Sequence, residues 1–181
     1  MPAGLVVGRS AIEGRGVFAG RHIVAGEPFH WMDGDRVSLI RCGWRILLGQ
    51  LRFDDPLQIG PLSFIDLDSF SININSSCDP SAAIRKRNEM FALRDIAPGD
   101  EITFDYAMTV LPSPFNRSWR MPCRCRSAIC RGMIGNMDTV PLERLAYYAS
   151  KGAIQAHMMP ALKQRLGAHG GQTDETSSKA A

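Results

Sequence analysis

Three cysteines, Cys123, Cys125 and Cys130, lie within one short array, Cys-x-Cys-x4-Cys, and a fourth, Cys78, stands far upstream in Asn75-Ser76-Ser77-Cys78-Asp79-Pro80. A soft divalent ion such as zinc takes four sulfur ligands at the corners of a tetrahedron, and a structural site leaves no ligand position open. The local triplet is one ligand short. If Cys78 supplies the fourth, the metal ties a C-terminal segment onto the middle of the chain, and whatever chemistry sits beside Cys78 joins the same site. The total of five cysteines is odd, which fits poorly with a fully paired disulfide framework and favours a metal in a reducing compartment.

A chain of 181 residues can bury one full hydrophobic core without covalent staples. Its 45% apolar and 22% charged residues are ordinary for a folded protein. The formal charge of +3 is mildly basic, and the basic residues are scattered. The densest run, Arg85-Lys86-Arg87, reads as the solvated face of a strand or turn, so direct nucleic-acid binding is not expected. Apolar runs such as Ile46-Leu47-Leu48 are too short to cross a bilayer, and the first residues lack the pattern of a secretory signal. The expected setting is intracellular: cytoplasmic, or nuclear if the chain is eukaryotic. Oligomeric state is not legible.

Residues 5 to 32 read as short strands punctuated by glycine. Between Val37 and Leu48 the apolar positions Val37, Ile40, Trp44, Leu47 and Leu48 recur at helical spacing, with Cys42 as a small buried residue. Strand-like stretches return at Phe64 to Asp68, at Ala82 to Leu93 with Ile84, Phe91 and Leu93 inward, and at Ile102 to Phe104. A proline-rich connector, Leu111 to Pro122, leads into the cysteines. Pro141 can open a helix that Gly152 ends, and a second helical stretch restarts near Pro160. The expected division is 5–108 as the main domain, 109–135 as connector and cysteine motif, 136–166 as a helical extension and 167–181 as a loose tail.

Four motifs follow one another: Gly14-Arg15-Gly16, Asn75 to Pro80, Gly99-Asp100-Glu101-Ile102-Thr103-Phe104-Asp105-Tyr106, and the cysteine triplet followed by Arg131-Gly132. Taken alone, Gly-x-Gly is a strand turn that permits close backbone approach, Asn-Ser-Ser-Cys-Asp-Pro is a good turn, and Tyr106 is an aromatic closing a strand. In this order they resemble the SET-domain family of protein lysine methyltransferases with its post-SET zinc motif, over about residues 5 to 135. The resemblance implies an α+β fold, mainly β, of several small twisted sheets with a pseudoknot, plus a helical C-terminal extension.

It further implies S-adenosylmethionine as methyl donor, contacted by Gly14, Arg15, Gly16, Asn75, Ser76 and Tyr106, with Tyr106 as the catalytic residue. One structural zinc is implied at Cys78, Cys123, Cys125 and Cys130, with Met133 and Ile134 covering the adenine. The partner is a protein or peptide lysine. Departures from the family pattern are Ser76 for the usual histidine, Ser81 for the final asparagine and Ile72 where arginine is frequent. The first hundred residues hold no tyrosine to line a lysine channel, leaving Trp31, Phe64, Phe70, Phe91 and Phe104. These departures support a second reading, a non-catalytic SET module that binds a protein partner with or without the cofactor.

Overall fold

The computed structural model describes residues 4–52, 55–113 and 117–170. Eleven short strands and three α-helices are present among them: β1 (Leu5–Arg9), β2 (Arg15–Ala19), β3 (Pro28–Trp31), β4 (Gly34–Ser38), α1 (Leu39–Leu47), β5 (Leu57–Gly60), β6 (Ser63–Leu67), β7 (Ala82–Arg85), β8 (Glu89–Ala92), β9 (Glu101–Ile102), β10 (Met121–Pro122), β11 (Met133–Ile134), α2 (Leu142–Ser150) and α3 (Met159–Gly170). They form three three-stranded sheets, β1-β2-β9, β3-β8-β7 and β4-β6-β5, and the pair β10-β11. Every pairing is antiparallel. The small-sheet α+β architecture agrees with the expectation.

Strands this short cannot each bury a full face, so the sheets share cores. Val17, Ile23, Met32, Ile65, Met90 and Ile102 lie at the centre of the first. The second holds Phe91, Leu93, Ala107 and Met137 together with Leu145 and Tyr148 of α2 and Leu162 of α3. The helical extension is therefore welded to the sheets through a common interior. A fully buried leucine such as Leu145 contributes about 1.5–3 kcal/mol to that attachment. Tyr106 packs against both cores.

The 75–82 segment runs beside 101–106, as the expected knot requires. Phe104 N–H donates to the Asn75 carbonyl at 3.2 Å, Ser77 N–H to the Phe104 carbonyl at 3.1 Å and Ala82 N–H to the Thr103 carbonyl at 2.9 Å. Ser81, which stands for an asparagine, is used fully: its hydroxyl donates to the Glu101 carbonyl at 3.1 Å and accepts from Thr103 N–H at 3.0 Å.

Three expectations change. The helix over 37–48 begins only at Leu39, because Ser38 caps it by accepting from Arg41 N–H, while Val37 belongs to β4. The apolar periodicity is real, but Ile40, Trp44, Leu47 and Leu48 face outward, each at least 60% exposed, and buried Cys42 marks the inward side. Helical spacing identifies a stripe without saying which way it points. The helix α3 also continues to Gly170, past the expected start of the tail at 167; the rest of that tail, 171–181, and connector residues 114–116 lie outside the described residues.

Arg85 and Lys86 flank a hairpin turn between β7 and β8, and both pair with Glu89. One carboxylate thus offsets one of the run's three positive charges. No described helix is long and apolar enough to cross a membrane.

His157, just ahead of α3, is partly buried with no hydrogen-bond partner on either ring nitrogen, and burial pulls its pKa down to about 4. The unfolded chain binds this proton with a pKa near 6.5. Stability from neutral His157 is thus full above about pH 6.5 and is lost as pH falls toward 4. A melting-temperature profile should fall across that window, and His157→Gln should flatten part of the fall.

Candidate functional site

The four thiols converge. Their sulfurs all lie within 4.8 Å of one another, and Cys78 Sγ sits 3.7 Å from Cys123 Sγ. A zinc ion with bonds of about 2.3 Å holds its sulfurs about 3.8 Å apart, so the set fits that ion with little movement. Cys78 is buried, and the other three, carried on the turns between β10 and β11, are partly exposed. Cys123 N–H donates to the Gly132 carbonyl at 2.9 Å, extending the β10-β11 ladder and aiming the triplet at Cys78.

The surroundings suit thiolates. Backbone N–H groups of Cys78, Arg131 and Gly132 point at the sulfurs of Cys125, Cys78 and Cys130, at 3.4–3.5 Å. Such donors stabilise negative sulfur and orient it for a metal. Burial pushes the Cys78 and Cys123 thiols up. It pushes on Cys125 too, but the Ser127 hydroxyl and the Cys78 N–H outweigh it and bring that thiol down to about 6.

A buried ion pair stands next to the thiols. Arg131, directly after Cys130, donates two hydrogen bonds to Asp105 at 2.8 and 2.6 Å. Burial opposes the Arg131 charge, but Asp105 outweighs it and holds the guanidinium above its ordinary value. Tyr148 of α2 donates its hydroxyl to the same carboxylate at 3.1 Å; burial first, and then the charge of Asp105, raise its pKa. Arg144, also on α2, reaches the Cys78 carbonyl at 3.2 Å. Metal segment, knot and α2 thus meet around one carboxylate beside Tyr106.

On the opposite side, Asn75 Nδ2 donates to the carbonyls of Glu13 and Arg15 at 3.2 and 2.9 Å and to Glu101 Oε1 at 2.8 Å. Ser10 Oγ donates to the Glu101 carboxylate at 2.8–2.9 Å. Gly14 sits at φ +43°, where L side chains are strained. A side chain at Gly16 would place its Cβ 2.3 Å from Glu101 Oε1, so glycine there makes room for the carboxylate.

These parts enclose a cavity of ≈ 810 Å³ whose walls include Ile12, Asn75, Ser76, Tyr106, Trp119 and Ile134. The Tyr106 hydroxyl donates to the Ile74 carbonyl at 2.8 Å, and its ring lies 4.7 Å from that of Phe104. Ser76 Oγ accepts from Tyr106 N–H at 3.2 Å, so the residue in the histidine position anchors the tyrosine's own backbone. Arg124, between two of the cysteines, pairs with Glu13 across the cavity.

Residues 14–107, just over half of the chain, match the SET domain family. The chain belongs to that family. The matched stretch carries Gly14, Asn75, Ser76 and Tyr106 and ends before the cysteine triplet, so the metal site rests on its own geometry. One curated relative, "Histone-lysine N-methyltransferase, H3 lysine-4 specific" of Cryptococcus neoformans var. neoformans, is 34% identical over 142 residues, covering 70% of this chain and 9% of the relative. Another, human "Histone-lysine N-methyltransferase 2B", is 32% identical over 141 residues, covering 68% of this chain and 5% of the relative. The chain spans less than a tenth of these relatives. A solved structure of KRYPTONITE with DNA, an H3(1-15) peptide and SAH superposes with a TM-score of 0.55 at 26% identity, over 72% of this chain and 29% of that one.

The structure places Asn75, Ser76 and Tyr106 on the wall of one cavity and gathers the four cysteines into a cluster of their own, whose neighbours Pro122 and Arg124 reach that wall. Gly14, Arg15 and Gly16 do not line the cavity; Gly14 ends the loop that presents Ile12 and Glu13, and Arg15 and Gly16 begin β2 behind it. Of the aromatics expected in the channel, Phe64 and Phe104 are lining residues, whereas Trp31, Phe70 and Phe91 are not. Trp119 joins them, unforeseen; an aromatic four residues ahead of Cys123 was the available signal. Ile134 is a lining residue and Met133 is half-exposed. Glu101, Arg131 and Tyr148 were also missed.

Proposed function

We propose that this SET-domain protein transfers a methyl group from S-adenosylmethionine to a lysine side chain of a protein. The observation that carries the reading is Tyr106, whose hydroxyl is fixed to the Ile74 carbonyl in a cavity bounded by the knot on one side and the thiol-bearing segment on the other. Asn75 and Ser76 would contact the cofactor directly, with Gly14, Arg15 and Gly16 shaping the loop that holds Glu13 and Ile12 against it. The four cysteines would hold one structural zinc. The names of the relatives make an H3 peptide the first substrate to try. The place of action would follow the substrate: the nucleus in a eukaryote, the cytoplasm otherwise.

The bound donor supplies an electrophilic methyl on a positively charged sulfur. The lysine must arrive as a neutral amine, and partial burial lowers its pKa toward that form. The cavity's part is to present the amine lone pair to that methyl carbon, so that an N–C bond would form as the C–S bond breaks with its electron pair left on sulfur. Because its proton is committed to Ile74, the Tyr106 oxygen acts as an acceptor toward the amine and the methyl, orienting both. Aligned reactants can gain roughly 7–11 kcal/mol of the barrier from positioning alone, so no strong general base is required. The apolar walls contributed by Phe64, Phe104 and Trp119 suit a lysine stem.

Labelled S-adenosylmethionine incubated with an H3 peptide and a peptide array tests the reading. Wild type is expected to label lysine, and Tyr106→Phe to lose roughly tenfold to a hundredfold in rate while binding the donor nearly as well. No labelled product on any peptide would leave a partner-binding module instead.

A further inference from the structure

We propose that Glu101 is a positioning residue for the methyl donor: its carboxylate locks the 10–14 loop between β1 and β2, and with it Glu13 and Ile12, in the conformation that walls the cavity. This rests on the methyltransferase reading for its consequence, though not for its geometry.

Glu101 opens β9, the strand on which β2 leans, with Phe18 opposite Glu101. Its side chain does not follow the strand pairing. It turns under the loop, where Oε1 accepts from Asn75 Nδ2 and both oxygens lie within hydrogen-bond reach of Ser10 Oγ. Ser10 in turn accepts from Ile12 N–H at 2.9 Å and Glu13 N–H at 3.4 Å, and Ser10 N–H donates to the Gly14 carbonyl at 3.1 Å. The hydroxyl's acceptor side is thus occupied by backbone donors, so its proton goes to Glu101. Asn75 spends its amide protons on the carboxylate and on the loop carbonyls of Glu13 and Arg15.

Among the described residues, the groups hydrogen-bonded to the Glu101 carboxylate, Ser10 Oγ and Asn75 Nδ2, are both donors, which suits an acceptor-only side chain. Hydrogen bonds to an ionised acceptor are about twice as strong as neutral ones, so the loop is held through one charged point. Glycine at 16 is part of the same device, because any Cβ there would occupy the carboxylate's place.

Glu101→Gln keeps the shape and replaces one acceptor oxygen by a donor facing donors. Measured by hydrogen exchange, backbone amides of residues 12–16 should exchange about tenfold faster than in wild type, and S-adenosylhomocysteine should bind about tenfold more weakly by calorimetry. Zinc content and exchange within α2 should not change. Wild-type exchange in the loop, or loosening that spreads equally into α2, would overturn the assignment. Failure of the wild-type protein to bind S-adenosylhomocysteine would instead count against the methyltransferase reading, and the loop exchange would still decide the role of Glu101.

Discussion

Cys78→Ser is expected to strip the protein of its metal, from about one zinc per chain to almost none by elemental analysis, and to release the segment from Cys123 to Gly132. A hydroxyl is a poor ligand for zinc beside three thiolates, and the position is buried, so no water or other side chain can substitute easily. Binding of structural zinc is worth about 10–16 kcal/mol in small zinc peptides. Here a folded core should persist without it, because Leu145, Tyr148 and Leu162 are also buried with Phe91, Leu93 and Ala107 of the first part of the chain. The loss should therefore appear as local disorder: fast hydrogen exchange over 123–132, loss of the Arg124–Glu13 contact, and an open cavity with little donor binding. A chelator should reproduce the effect on wild type and add nothing to the variant. Full zinc occupancy in Cys78→Ser would refute the four-thiol site.

Asp105→Ala is expected to cost about 3–5 kcal/mol, the range for leaving one member of a buried ion pair uncompensated. The Asp105 side chain is 1% exposed and that of Arg131 12%, so water cannot re-solvate the guanidinium. Tyr148 loses its acceptor at the same time. In a domain of this size that loss corresponds to a fall of roughly 10 °C in melting temperature. Because the pair is buried, raising the salt concentration should leave the difference between variant and wild type nearly unchanged. Zinc should stay bound, which separates this variant from Cys78→Ser. A shift under 1 °C would mean that Arg131 finds another partner.

Much of the site was legible because its chemistry is written in residues that cluster along the chain. The cysteine array, Asn75 to Pro80 and Asp105-Tyr106 carry their message within a few positions. Glu101, Arg131 and Tyr148 do not. Glu101 meets Ser10 across 91 residues and Tyr148 meets Asp105 across 43, and no local periodicity records such pairings. Glu101 stands inside the Gly99-to-Tyr106 motif, but nothing in that motif tells that its carboxylate reaches Ser10 and Asn75. The fold shows a related limit at α1, where spacing found the helix but not its orientation: the inward side packs only Cys42 and Ile46 against Val37, Leu51 and Phe64, too small a cluster to dominate the pattern. Ser76 is the converse case. It looked like a loss, and its hydroxyl proves to hold the Tyr106 backbone.

The spread of the thiols along the chain sets an order of events during synthesis. A growing chain that has released residue 107 already has all three larger sheets' strands, its first core and Tyr106, but only one of the four metal-site cysteines. The pocket must wait until Arg131 has emerged, and Arg131 cannot be buried with Asp105 before then. The carboxylate of Asp105 has no guanidinium to pair with until residue 131 is made, so the cavity wall that Arg124 and Ile134 complete and the thiol cluster belong to the last part of the chain to be synthesised.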